Sequence, residues 1–205
     1  MHAMGIHIDF DYVQQNFLGR SFSHVVDNIN DNFNVILAED IEQKYRLKLL
    51  ESFKTELLPI SGITEILSDL SVKFCLASSS SPERIKNSLE YTALAKWFPD
   101  GVFSAVEVEN GKPAPDLFLL AAKTMGYAPE ECLVIEDSLS GIQAALSAGM
   151  EVIHFVGGSH YSDIKTGVLV DKAPEVPVIN KWSEFFIKRP EFKKSIIFRN
   201  EVGNG

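Results

Sequence analysis

Three short clusters hold the residues able to do chemistry. Ser78, Ser79, Ser80 and Ser81 follow the apolar run Val72–Ala77 and precede Pro82. Glu136, Asp137 and Ser138 follow a second apolar run, Cys132–Ile135. Between them lies Gly111-Lys112-Pro113-Ala114-Pro115-Asp116. A hydroxyl at the end of a strand, with helix N–H groups behind it, is suited to holding a phosphate. A lysine flanked by glycine and two prolines is a positive charge on a stiff loop. Adjacent carboxylates are hard oxygen ligands of the kind Mg²⁺ takes. Metal, cation and oriented donors are what phosphoryl transfer needs around the equatorial oxygens. Each cluster also has a plainer reading. The serines and Asp137-Ser138 make ordinary helix caps, and Lys112 alone is an exposed loop lysine. Glu136 resists that treatment, because it continues an apolar strand where an unpaired carboxylate is costly to desolvate.

The elements that must position these groups are legible in outline. After Pro59, short β-branched runs alternate with helical patterns. Val72–Ala77, Cys132–Ile135, Glu151–Val156 and Val168–Val170 read as strands. Ile63–Leu70, Pro82–Tyr91, Asp116–Met125 and Ser140–Ala148 read as helices, with Gly126 and Gly149 as stops. Such alternation with near-continuous apolar strands predicts a parallel sheet covered on both faces. Ligands of such sheets sit outside the carboxyl ends of the strands, where all three clusters fall. The chain before Pro59 is different. Phe22, Val25, Val26, Ile29 and Phe33 have helical spacing after Ser21, and Ile41, Tyr45, Leu49 and Phe53 recur every four residues, which predicts two helices and no strand.

Composition removes several classes of partner. The 205 residues carry 19 basic and 28 acidic side chains, a net charge of −9. That field disfavours nucleic acid and anionic membranes but allows a small anion held by local cations. No apolar stretch approaches the length of a membrane span, and the N-terminus has no signal-peptide pattern. A cytoplasmic protein is therefore expected. Cys75 and Cys132 sit inside apolar runs and read as buried thiols rather than as a disulfide or metal framework.

LASSSSPERI, GKPAPDLFLLAAKTMG and CLVIEDSLSGIQAALSAGM resemble the second, third and fourth motifs of the haloacid dehalogenase superfamily. They are most similar to its helical-cap phosphatases and sugar-phosphate mutases. The resemblance implies a Rossmann-like α/β core over residues 59–190, an N-terminal partial helical cap over 1–58 and a C-terminal tail over 191–205. It implies an Mg²⁺-dependent phosphatase of a small phosphorylated sugar or organic acid. Ser78 and Ser79 would bind phosphate, Lys112 would neutralise it and orient a nucleophile, and Glu136 and Asp137 would hold the metal. Arg20, in FLGRSF, matches a cap position that faces substrate. The family's first motif, Asp-x-Asp-Gly-(Thr or Val), supplies the nucleophile and general acid, and it is not found ahead of the cap. Asp9-Phe10-Asp11 has part of its form, but Tyr12-Val13 follows, so the segment reads as a helix start capped by Asp9 or Asp11. The chain is expected to be inactive without that motif. A β-phosphoglucomutase-type mutase and a non-catalytic phosphate-binding module are the alternatives. In the family's fold the first strand lies between those matching Val72–Ala77 and Cys132–Ile135, so two facing sheet edges are also expected.

Overall fold

The computed structural model describes residues 6–9, 12–13, 16–17, 22–158 and 175–194. Arg20, Asp11, the run Val168–Val170 and the end of the tail, 195–205, lie outside the described residues. The chain forms two compact units, Met1–Thr55 and Glu56–Gly205.

The first unit is helical. Asp9 Oδ1 accepts the Tyr12 N–H at 2.8 Å, which is the capping geometry that spares a helix-start donor. Helix α1, Phe22–Phe33, buries Ile29 beside Ile6 and Leu37, with Val25, Val26 and Phe33 around them. The Tyr12 ring meets Phe17 and Phe33 edge-on. Helix α2, Ile41–Glu56, buries none of its residues. An apolar residue every fourth position precesses about 40° per step around a 3.6-residue helix, so the stripe winds away from any one face and Tyr45 stays 53% exposed.

In the second unit every paired strand is parallel. β1, Leu76–Ser78, pairs with β2, Val102–Ser104, in the register Ala77 to Phe103. β3, Leu133–Glu136, pairs with β4, Glu151–Phe155, and β4 with β5, Val178–Ile179. Among the described residues these remain two separate sheets, β1-β2 and β3-β4-β5. Helices α3 (Ile63–Asp69), α4 (Pro82–Tyr91), α5 (Asp116–Met125), α6 (Leu139–Ser147) and α7 (Phe185–Lys188) complete the layers. Alternating side chains send Val134 and Val152 to one face, against Phe118 and Ala122 of α5 and Ile142 and Ala145 of α6. Ile153 and Phe155 go to the other face, against Ile66 of α3 and Phe185 of α7.

β1 begins four residues later than the expected Val72–Ala77 strand. Its ladder partner β2 is three residues long, and residues 73–75 have no strand to pair with among the described residues. β2 and β5 were not expected, being too short for a period-2 pattern. The tail's first residues are docked: Leu70 and Lys193 form an antiparallel bridge.

Candidate active site

The carboxyl ends of β1 and β3 open into one pocket of about 390 Å³. Ser78, Ser79, Lys112, Glu136 and Asp137 all line it. The serine turn is organised by its own hydroxyls and by β2. Ser78 Oγ accepts the Ser80 N–H at 3.1 Å, and buried Ser104, opposite Ser78 in the ladder, donates its hydroxyl to the Ser80 carbonyl at 2.7 Å. Ser81 then caps α4, accepting from the Arg84 N–H, with Pro82 at the first helical position.

Lys112 is not an exposed loop residue. Its ammonium donates to Glu136 Oε1 at 2.5 Å and to the Ala77 carbonyl at 3.2 Å, bridging the end of β3 to the end of β1. The side chains of the pair are 8% and 9% exposed, and Lys112 Nζ lies 4.6 Å over the Phe118 ring. Glu136 Oε2 accepts from the Asp137 and Ser138 N–H groups at 2.8 and 3.0 Å, and from the Ser138 hydroxyl. Burial pushes the Glu136 carboxyl up, but the Lys112 charge and these donors outweigh it and hold the group below its ordinary range. Both Glu136 oxygens are therefore committed to protein donors, whereas Asp137 is exposed at the pocket wall.

Besides Ser104, two residues of this site went unrecognised in the sequence. A Cβ at Gly141, in the first turn of α6, would collide with the Glu136 carboxylate, so glycine is what lets the helix start against that group. His154 stands opposite Glu136 in the β3–β4 register, buried, with its ring hydrogen-bonded to the Asp137 backbone. Burial lowers its pKa, opposed by that hydrogen bond and by the Glu136 charge. A histidine inside the apolar run EVIHF was the available signal.

The sequence pattern of haloacid dehalogenase-like hydrolases matches residues 7–149. The chain belongs to that family.

This haloacid dehalogenase-like hydrolase is 31% identical over 161 residues to the 6-phosphogluconate phosphatase of Escherichia coli (strain K12), covering 78% of this chain and 73% of that protein. It is 48% identical over 65 residues to the fructose-1-phosphate phosphatase YqaB of the same organism, covering 32% of this chain and 34% of that one. Among solved structures, a haloacid dehalogenase-like protein of unknown function from Agrobacterium tumefaciens str. C58 superposes with a TM-score of 0.81 at 27% identity. That match covers 93% of this chain and 86% of the other. A family hydrolase from Deinococcus radiodurans R1, with bound phosphate and sodium, superposes at 0.79 with 25% identity over 93% and 84% of the two chains. No helix among the described residues is long and apolar enough to cross a membrane.

Proposed function

We propose that this hydrolase is a phosphatase of small phosphorylated sugars or sugar acids. The observation that carries the reading is the meeting of the Ser78–Ser80 turn, the Lys112 ammonium and the Glu136–Asp137 loop around one pocket. The Ser78 hydroxyl and the N–H groups of the turn are donors for phosphate oxygens. Lys112, fixed by Glu136 and Ala77, supplies the positive charge beside them. The similarity to a 6-phosphogluconate phosphatase supports a sugar-acid phosphate as the substrate class. Residues 1–58 would contribute to a cap bearing Arg20, and 59–190 would form the core.

The donor set fits Mg²⁺ incompletely. Among the described residues no three His, Cys, Asp or Glu side chains converge. Asp137 would hold the ion directly, and Glu136, with both oxygens spent, would hold Asp137 in place. Mg²⁺ keeps most of its waters at sites with one or two carboxylates, so binding here would be weak. When bound, the ion supplies charge neutralisation at the phosphate.

Among the described residues Glu136 and Asp137 are the only acids lining the pocket, and neither is free to attack phosphorus while serving these roles. The nucleophile would be a further carboxylate from outside the described residues. That same shortage favours the second reading, a phosphate-binding module without catalysis. Phosphate release from 6-phosphogluconate and p-nitrophenyl phosphate with Mg²⁺ tests the two. Residues 1–205 alone should release none. The same residues joined to a strand ending in Asp-x-Asp should turn over, and Asp137→Asn should abolish that turnover. Hydrolysis by residues 1–205, lost in Asp9→Asn, would instead make Asp9 the nucleophile.

A further inference from the structure

The loop that presents Lys112 is closed at its base by one side chain. The Asn110 amide Nδ2 donates to Asp116 Oδ2 at 3.1 Å, and the Asn110 backbone N–H donates to the same oxygen at 3.3 Å. Asp116 is the first residue of α5, so this clasp ties the chain entering the loop to the helix that leaves it. Inside the loop the Ala114 N–H donates to the Gly111 carbonyl at 3.0 Å. From there Lys112 reaches Glu136 and the Ala77 carbonyl, with the Phe118 ring of α5 against its ammonium. The residue after Asn110 is a glycine that neither packing nor backbone conformation requires. Among the described residues a Cβ at Gly111 would meet the Ala105 Cβ alone, at an ordinary 3.8 Å, and its φ lies outside the left-handed region. Asn110 and Gly111 are both exposed and lie outside helix and strand.

We propose that Asn110–Gly111 is a site of spontaneous deamidation, and that its product opens the clasp holding the Lys112 loop. The Gly111 backbone nitrogen loses its proton and bonds to Asn110 Cγ. The Cγ–Nδ2 bond breaks, and the amide nitrogen leaves as ammonia with the proton that Gly111 gave up. Water then opens the cyclic imide at either carbonyl, giving aspartate or an isoaspartate whose side-chain carbon has joined the backbone. No oxidant, metal or enzyme takes part. Glycine favours the ring closure because it has no side chain to obstruct the attack and its backbone turns freely. Both products put a carboxylate where the amide donor stood. Asp116 then loses the Nδ2 hydrogen bond and faces a like charge. Isoaspartate also lengthens the backbone two residues ahead of Lys112. The chemistry stands on the loop alone, and only its effect on phosphate rests on the proposed phosphatase reading. The sequence holds one other Asn-Gly pair, Asn204–Gly205, which lies outside the described residues and serves as an internal reference.

The test ages residues 1–205 in mildly alkaline buffer and maps the peptides by mass spectrometry. Asn110 should convert, and faster as the buffer is made more alkaline. In Gly111→Ala, whose Cβ fits the fold but hinders the attack, conversion at Asn110 should lag far behind. Acylation of Lys112 by an N-hydroxysuccinimide ester reads the clasp, because the Lys112 side chain is buried against Glu136 while the loop is closed. Its labelling should rise about fivefold in the converted protein, the weight of one hydrogen bond, and stay at the fresh level in aged Gly111→Ala. Fresh Asn110→Asp should show part of that rise, the lengthened backbone supplying the rest. Phosphate affinity should fall as Lys112 labelling rises. An intact Asn110 in protein whose Asn204 has converted would overturn the proposal. So would a converted protein in which Lys112 is as shielded as in the fresh one. Fresh protein that binds no phosphate would remove the phosphatase reading and leave mapping and labelling to decide this inference.

Discussion

The two units of this chain use their charges in opposite ways. In the helical unit, Lys44–Asp40 and Arg46–Glu42 pair one turn apart on exposed surface. In the α/β unit, Lys112 and Glu136 lie 24 residues apart in sequence and meet buried. The exposed pairs help a helix that buries nothing of its own. The buried pair gains little net stability over an apolar pair of the same size; what it does is fix an ammonium and a loop at the mouth of a pocket. Under the proposed phosphatase reading, that charge at the carboxyl end of the sheet serves the bound phosphate.

Removing one partner of the buried pair should have the largest effect. Lys112→Met leaves Glu136 buried and uncompensated, at a cost of about 3–5 kcal/mol read from urea unfolding. Lys112→Met with Glu136→Leu should recover most of that loss. Next comes Gly141→Ala. The new Cβ overlaps the Glu136 carboxylate, so the acidic loop must move, at about 1–3 kcal/mol, the usual cost of overpacking. Circular dichroism melts of this variant beside Gly126→Ala would separate steric loss from backbone strain, because a Cβ at Gly126 meets nothing but carries a positive φ of 82°.

Acid should act on the α/β unit through two groups. His154 is held below its ordinary 6.5 by burial, and Glu136 is held below 4.5 because Lys112 outweighs burial. Both bind protons more weakly folded than unfolded, so the unfolded state takes up more protons and stability falls with pH. The His154 contribution is fully present above about 6.5 and lost below it, and the Glu136 contribution follows below about 4.5. Urea midpoints measured stepwise from pH 7 to pH 5 should fall in the wild type, and fall less in His154→Gln. The smallest effect is expected in the helical unit, where Arg46→Ala should cost about 0.5 kcal/mol or less and vanish in high salt.

Local signals made much of this architecture legible. Pro82 and Asp116 open their helices, Gly126 closes one in a left-handed turn, and α4 and α5 occupy the expected residues. The pocket serines, Lys112 and the acidic pair were legible because strand ends of a parallel sheet converge. Gly141, His154 and Ser104 were not. Each matters through a neighbour across a ladder or under a helix start, and register is set by tertiary pairing rather than by local spacing. The place of Lys112 was legible but its burial was not, since Glu136 and Ala77 come beside it only in the fold.

Calorimetric titration of inorganic phosphate into residues 1–205 with millimolar Mg²⁺ tests the pocket's assignment most directly. Phosphate should bind, and Ser78→Ala should weaken it about tenfold, equivalent to about 1.4 kcal/mol, while exposed Ser68→Ala leaves it unchanged. Absence of binding, or equal affinity in all three proteins, would contradict the assignment of this pocket to phosphate.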